Sequence, residues 1–285
     1  MKKVSLFGGT GFVGSHYAKS YPKSTTVIDR DSIQSETNNI LYMISTVHNY
    51  HPKDGNPLID IETNLIHFMK VLDNARKKWG DRLVFTQVST WFVYGQNPEI
   101  PAKENSHCNP KGFYSITARA REQLLISYCE SFNLKYRILR LGNVIGAGDE
   151  KIGLKRNALQ HFIKELALGR PIERYRQDSI RDFIDVRDCV RAINLIVEKG
   201  DLNQIYNVSN GQGLRVKELI DHAWITSGYK SKISEIEVSQ FHKTVQTPAI
   251  YMDVSKIKKL GYVKQHDIKT SVEELVHYYE QRETK

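Results

Sequence analysis

The segment VSLFGGTGFVG, residues 4–14, decides the fold of this chain. A short apolar segment leads into a turn that holds Gly8, Gly11 and Gly14, and a helix-like segment follows. In such a unit the first glycine permits the tight turn, the second lets backbone approach a pyrophosphate, and the third lets the helix pack closely. The helix N-terminus offers N–H groups and a positive dipole end to phosphate. The segment predicts a dinucleotide site formed by Gly8, Thr10, Gly11, Phe12, Val13 and Gly14.

A second apolar segment, TTVIDR, predicts a strand that ends at Asp29, twenty-one residues after Gly8. At that position a carboxylate can accept both hydroxyls of an adenosine ribose. The same carboxylate repels a 2′-phosphate, which favours NAD(H) over NADP(H). Arg30 lies beside it and a guanidinium can hold that phosphate, so NADP(H) is also allowed.

Short apolar segments alternate with amphipathic ones through the first half of the chain. This alternation indicates the α/β class, with a Rossmann-like, doubly wound parallel sheet. We expect a dinucleotide-binding Rossmann domain over residues 1–150. A smaller C-terminal, substrate-binding lobe is expected over residues 151–285, interwoven with the first so that residues 175–200 return to the sheet.

The amino-acid composition indicates which class of protein this is and where in the cell we expect it. No apolar run approaches the length of a membrane span. The three cysteines, Cys108, Cys129 and Cys189, are far apart and form no CxxC pair. We therefore expect a cytoplasmic protein without a disulfide framework or a metal site. The net charge of +9 comes from basic residues interleaved with acidic ones, which favours an anionic small substrate over nucleic acid.

Five segments, in this order, resemble the extended short-chain dehydrogenase/reductases, specifically their nucleotide-sugar epimerase, dehydratase and reductase branch. They lie between residues 6 and 188 and read GGTGFVG, STWFVYG, FYSITARAREQLL, LRLGNVIG and RDFIDVRD. The resemblance implies an NAD(P)-dependent oxidoreductase or epimerase that acts on a nucleotide-diphosphate sugar. It also implies a homodimer.

The resemblance assigns a role to several residues. It implies that Thr90 and Tyr114 are catalytic, with the Thr90 hydroxyl bonded to the reacting sugar oxygen and Tyr114 exchanging a proton with it. Tyr114 also contacts the cofactor. The other implied positions are the cofactor groove (Ser45, Thr46), the substrate site (Thr90, Trp91, Asn143, and Arg181 at the diphosphate) and a strand-pinning asparagine (Asn64).

The chain departs from the family at Ala118. Family members carry a lysine four residues after the tyrosine, on the same helix face, where it lowers the tyrosine pKa and binds the nicotinamide ribose. Alanine can do neither, and an unassisted tyrosine has a pKa of about 10. The loss affects proton abstraction more than proton donation. Arg121, Lys111 and Arg119 are candidate replacements, although we expect all three to be solvated.

A second departure concerns the sheet. Only ten residues separate Asp29 from Ile40, where the family usually fits a helix, a strand and another helix. We therefore expect the sheet to lack one edge strand, and the adenine pocket to be more open than usual.

The residues after Thr90 restrict the reaction. Members that eliminate water carry Asp-Glu there, and decarboxylating members carry a Glu, whereas this chain has Trp91 and Phe92. Neither aromatic side chain can act as an acid or a base. This argues against dehydration and against decarboxylation.

Reduction of a ketone remains the preferred reaction. We expect an NAD(P)-dependent reductase of a nucleotide-linked keto-(deoxy)sugar, with hydride from nicotinamide and a proton from Tyr114. One alternative is an epimerase with a transient ketone, for which His107 and Cys108 could supply a further acid/base pair. The other is a non-catalytic dinucleotide-binding protein, because of Ala118.

Overall fold

A parallel six-stranded sheet forms the centre of the molecule. The computed structural model describes residues 1–46, 56, 58–96, 99–150, 152–154, 156–238 and 247–283. The strands of the sheet are β1 (Val4–Phe7), β2 (Thr25–Ile28), β3 (Asn39–Tyr42), β4 (Val84–Thr90), β5 (Lys135–Leu141) and β10 (Gln204–Val208). Their order is β10-β5-β4-β3-β1-β2, and every neighbouring pair is parallel. The predicted Rossmann-like α/β fold is confirmed.

Helices cover both faces of the sheet, because successive strand residues point to opposite sides. They are α1 (Phe12–Ser20), α2 (Ile59–Ile61), a π-helical segment (Glu62–His67), α3 (Phe68–Trp79), α4 (Phe113–Ser131) and α6 (Val186–Lys199). Leu6 and Leu41 pack in a buried cluster with residues of α1 and α6. Their chain neighbours Phe7 and Ile40 pack in another with α3 and α4.

The C-terminal part builds a third apolar cluster away from the sheet, between α5 (Ala158–Ala167), α7 (Val216–Thr226) and α9 (Ile268–Glu283). Three two-stranded sheets and a short helix, α8 (Ser255–Lys259), accompany it. The strand pairs are β6 (Asn143–Ile145) with β9 (Phe183–Asp185), β7 (Ile172–Tyr175) with β12 (Ile233–Ile236), and β8 (Ile180–Arg181) with β11 (Leu214–Arg215). The chain returns to the central sheet through α6 and then β10. The domain boundary near residue 150 stays a prediction.

The expected absence of one strand is confirmed at the β2 edge. Residues 29–38 contain no strand, and they connect β2 to β3 across β1. The Ser5 hydroxyl accepts the backbone N–H groups of Glu36 and Thr37, each at 2.8 Å. The Trp79 indole donates to the Ser35 hydroxyl at 2.8 Å. These bonds fix the short connection and leave β2 as the last strand.

Three further features concern membrane spans, cysteine pairing and metal sites. Within the described ranges, no helix is both long enough and apolar enough to span a bilayer. The cysteines Cys108, Cys129 and Cys189 are unpaired. No group of three or more His, Cys, Asp or Glu side chains in the described part of the chain is arranged to hold a metal ion.

Candidate active site

A cavity of about 830 Å³ opens at the carboxyl ends of the central strands. The cavity is lined by the glycine turn after β1, residues 43–45 after β3, Thr90 at the end of β4, and residues 141–144 at the end of β5. Residues of the C-terminal part close the other side, among them Phe162, Tyr175 and Val216. Ligands of open parallel sheets bind at this edge. The cavity therefore joins a phosphate-binding turn to a second compartment.

The glycine turn fits the diphosphate of a dinucleotide cofactor. Gly8 has a φ of +87°, which favours glycine. A Cβ on Gly14 would lie 2.2 Å from the Gly8 carbonyl oxygen, so α1 can begin this close to the turn only with glycine there. Gly11 is the N-cap of α1 and offers no side-chain cap. The first N–H groups of α1 are therefore available to an anion.

The structure brings most of the predicted site residues to the cavity wall. Those in the wall are Gly8, Thr10, Gly11, Phe12, Val13, Gly14, Arg30, Ser45, Thr90, Trp91, Tyr114, Asn143 and Arg181. Asp29 and Thr46 are not among the lining residues. Asp29 is exposed beyond the edge strand β2. The Thr46 hydroxyl donates to Asp60 and accepts from Asn64, so it is engaged by buried side chains instead.

Tyr114 stands at the first turn of α4. Gly112 precedes the helix, and the Ser115 hydroxyl both accepts the Gly112 N–H at 3.0 Å and donates to its carbonyl at 2.8 Å. The half-buried Tyr114 ring meets Phe92 edge to face, with ring centroids 6.0 Å apart. Burial raises the pKa of the Tyr114 phenol, and hydrogen bonding with Thr90 lowers it again. The predicted pair therefore lies together in the cavity wall.

Asn64 ties the carboxyl end of β3 to α4. Its Oδ1 accepts the Ser45 hydroxyl at 3.1 Å and the Thr46 N–H at 3.0 Å, and its Nδ2 donates to the Thr117 hydroxyl at 3.0 Å. A hydrogen bond with Ser45 lowers the pKa of Tyr114. Sequence reasoning placed Ser45 in the cofactor groove and missed this contact. The signal was a hydroxyl directly after an apolar strand, at the edge where ligands bind.

Of the three candidate replacements for the missing lysine, Arg121 lies in the cavity wall. The expectation that it is solvated is wrong. Its side chain is 1% exposed and contributes to the cavity wall, while Ala118 is fully buried. The spacing along α4 places the guanidinium inside the protein, where its two terminal nitrogens donate to two backbone carbonyls. Lys111 is exposed, as expected, and Arg119 is half-buried and pairs with Glu122 at 2.8 Å.

The second compartment is walled by aromatic rings and a guanidinium. Trp91 stacks on Phe92 with centroids 3.9 Å apart, and the Trp91 indole donates to Asn143 Oδ1 at 3.2 Å. The Asn143 amide donates to the Asp182 carbonyl at 3.0 Å. The Arg181 guanidinium lies 5.5 Å from the Trp91 ring, and its Nη1 donates to the Ile180 carbonyl at 2.8 Å. The arrangement suits an anionic group next to an apolar surface.

His107 and Cys108 do not reach this compartment. His107 is exposed, and the Cys108 thiol contacts the Ser106 carbonyl at 3.6 Å. Burial raises the pKa of Cys108, which disfavours its thiolate. Neither residue lies in the cavity wall.

The chain is similar to several nucleotide-sugar enzymes. The model of the NAD dependent epimerase/dehydratase family matches residues 40–209. GDP-6-deoxy-D-mannose reductase of Pseudomonas aeruginosa is 27% identical over 169 residues, which cover 58% of this chain and 55% of that protein.

Two solved structures share the fold over nearly the whole chain. One is UDP-glucose 4-epimerase of Thermotoga maritima with UDP-glucose, at a TM-score of 0.86, 21% identity, and coverage of 98% of this chain and 99% of that one. The other is RMD from Pseudomonas aeruginosa with NADPH, at a TM-score of 0.85, 18% identity, and coverage of 99% and 100%.

Proposed function

The chain belongs to the NAD-dependent epimerase/dehydratase family, and from that premise we propose that it reduces the ketone of a nucleotide-linked keto-(deoxy)sugar. One observation carries the choice of reaction. The Tyr114 phenol lies beside the Thr90 hydroxyl, and the residues that follow Thr90 are the stacked rings of Trp91 and Phe92. The site thus offers a proton donor next to rings that can neither donate nor accept a proton.

Each residue then has a defined task. A bound reduced nicotinamide supplies hydride to the carbonyl carbon. Thr90 hydrogen-bonds the reacting oxygen and Tyr114 donates a proton to it. Arg181 binds the substrate diphosphate with its planar guanidinium. Trp91 and Phe92 present an apolar surface, which suits a sugar carbon that has lost its hydroxyl.

The cofactor is NAD(H) in preference to NADP(H), in keeping with the family description. Asp29 follows β2, where a carboxylate suits ribose hydroxyls. Arg30, in the cavity wall, can hold a 2′-phosphate, and RMD from Pseudomonas aeruginosa was solved with NADPH. We therefore infer that NADPH is also accepted.

Epimerisation is the second candidate, because a matching solved structure is a UDP-glucose 4-epimerase. An epimerase returns the hydride to the same sugar and leaves the cofactor unchanged overall. His107 and Cys108 lie outside the cavity wall and lend this alternative no additional acid/base pair.

Cofactor consumption separates the two reactions. Purified protein is mixed with NADH or NADPH and a panel of nucleotide-linked 4-keto-6-deoxy sugars, and the reduced-nicotinamide absorbance is followed. We expect stoichiometric loss with at least one sugar and faster loss with NADH. Reactions without sugar give the background rate. Interconversion of sugar isomers without net cofactor loss would identify an epimerase instead.

We also propose that two copies associate through the outer faces of the π-helical segment, α3 and α4. Exposed apolar side chains gather there, namely Ile66, Ile116, Leu124 and Phe132. A shallow depression between the helices is lined mainly by apolar atoms, from Leu65, Ile66, Met69 and Tyr128 among others. Contiguous apolar surface of this kind marks an interface more often than a solvated face.

Ile66→Glu is expected to convert the dimer into monomers, because it places two charges in an apolar contact. Size-exclusion chromatography with light scattering measures the mass. Val263→Glu is the matched control, since Val263 is exposed on another part of the surface, and it should leave the dimer intact. A wild-type protein that is monomeric at every concentration tested would contradict the proposed interface.

A cytoplasmic location completes the proposal. The three unpaired cysteines are in keeping with a reducing compartment. A nicotinamide-dependent reductase also needs a supply of reduced cofactor.

A further inference from the structure

Arg121 brings a buried positive charge to the wall of the cavity. Its Nη1 donates to the Ile44 carbonyl at 2.8 Å, and its Nη2 donates to the Val88 carbonyl at 3.0 Å. Ile44 directly precedes Ser45, and Val88 lies two residues before Thr90. The guanidinium is therefore tied to the two backbone segments that carry the Ser45 and Thr90 hydroxyls.

No carboxylate in the described part of the chain forms an ion pair with this charge. Among the described residues, Arg121 has no ion-pair partner, because the adjacent Glu122 is held by Arg140 at 2.7 Å and by Arg119 at 2.8 Å. The Nε of Arg121 is buried and has no hydrogen-bond partner. A buried charge without a counter-ion is costly. Such a charge beside a cavity is a candidate for a functional role.

We propose that Arg121 acts through Tyr114: its positive charge stabilises the phenolate that forms when Tyr114 gives its proton to the substrate. This inference rests on the proposed reductase function. Arg121 is then a positioning residue, because it acts on Tyr114 through its charge. Ala118 cannot supply this charge, and position 121 is almost one helical turn farther along the same face.

The groups around Tyr114 determine in which direction the pKa of its phenol moves when the charge of Arg121 is removed. Arg121 of α4 lowers the pKa of the phenol, and Asp60 of α2 raises it. The other polar groups that face the phenol are the neutral hydroxyls of Thr90 and Ser45. Burial and Asp60 raise the pKa of Tyr114, so removing the arginine charge, which lowers it, makes that pKa rise further.

Burial lowers the pKa of Arg121, but a guanidinium keeps its proton throughout the pH range of an enzyme assay. Besides Tyr114, the ionisable groups that face it are the Tyr42 phenol of β3 and the Glu122 carboxylate of α4. Burial raises the pKa of Tyr42, so that phenol stays neutral. Glu122 keeps its charge under all conditions tested below, because its arginine partners lower its pKa.

Arg121→Met tests the proposal through the pH profile of ketone reduction. Reduction needs the protonated phenol, so activity falls as pH rises through the pKa of Tyr114. We expect Arg121→Met to move this alkaline fall to higher pH and to lower the plateau rate about tenfold, because a weaker acid donates more slowly. Arg121→Lys keeps the charge and should show a smaller displacement. Equal displacement in both variants would overturn the proposal, since lost hydrogen bonds would then explain it.

A spectroscopic titration gives a second readout without substrate. The ultraviolet absorbance of phenolate is measured against pH for wild type and Arg121→Met, each compared with its Tyr114→Phe counterpart so that only Tyr114 contributes. The Tyr114 step should move to higher pH in Arg121→Met. Arg119→Met, on the same helix, is the matched control and should leave the step in place. An unmoved step in folded Arg121→Met protein would overturn the proposal.

The double variant Ala118→Lys with Arg121→Met returns a cation to the same helix face. It should move both the activity profile and the phenolate step back toward wild type, and failure to do so in folded protein would count against the charge mechanism. If wild-type protein oxidises no NADH with any keto-sugar, the proposed function fails, while the titration still decides the role of Arg121.

Discussion

Tyr114→Phe is expected to lower the turnover number for ketone reduction by about 10²–10⁴-fold, because it removes the proton donor and little else. Phenylalanine keeps the ring, so the edge-to-face contact with Phe92 remains. Cofactor affinity should fall by no more than about tenfold, since the loss of one hydroxyl costs about 0.5–1.5 kcal/mol. Stopped-flow or steady-state NADH oxidation measures the rate, and fluorescence titration measures cofactor binding.

Tyr229→Phe is the control for this substitution. Tyr229 is 58% exposed and packs against Trp224, away from the cavity. We expect wild-type turnover from it. Turnover of Tyr114→Phe within a few-fold of wild type would mean that another group or water donates the proton, and the assignment of Tyr114 would fall.

Gly14→Ala has the second largest expected effect, and it acts on the cofactor. The new Cβ would lie 2.2 Å from the Gly8 carbonyl oxygen and 2.9 Å from its carbon, so α1 must move away from the glycine turn. The phosphate would then lose the aligned N–H groups of the helix terminus. We expect cofactor affinity to fall at least about tenfold and the free energy of unfolding to drop by about 1–3 kcal/mol. Fluorescence titration with NADH and chemical denaturation measure the two quantities.

Gly153→Ala is the matched control. A Cβ there meets no atom within 4 Å, and Gly153 has no positive φ. It should leave cofactor affinity and stability unchanged. Wild-type affinity in Gly14→Ala would show that the cofactor phosphates do not use the N-terminus of α1.

The parts of the fold that local signals determine were predictable. The glycine turn specified strand, turn and helix, and the ten residues between Asp29 and Ile40 predicted the missing edge strand. Both depend on chain length and glycine position alone. The strand that rejoins the sheet was less visible. This strand is β10, Gln204–Val208, and it carries no motif.

The helical segment before β4 contains a π-helical turn at Glu62–His67. Sequence periodicity does not distinguish such a turn from regular α-helix, because one wide turn barely changes the apolar pattern.

The electrostatics of the site could not be predicted for a different reason. Helix spacing placed Arg121 on the face of Tyr114, but a charged residue is solvated in most proteins. Its burial depends on two carbonyls, of Ile44 and Val88, that are distant in sequence. The contact of Ser45 with Tyr114 likewise depends on Asn64. Long-range partners decide both, and no local pattern encodes them.

The exposed sheet edge at β2 also has a consequence for how long the cofactor stays bound. With no strand or helix between β2 and β3, Asp29 and Arg30 are exposed, so we expect fewer groups to close over the adenosine end of a bound cofactor. Fewer contacts raise the dissociation rate more than they change the association rate. A reductase must exchange spent cofactor for fresh after every hydride it delivers, whereas an epimerase can keep one molecule through many cycles. A short residence time is the kinetic property that the proposed reductase needs, and we expect the missing strand to favour it.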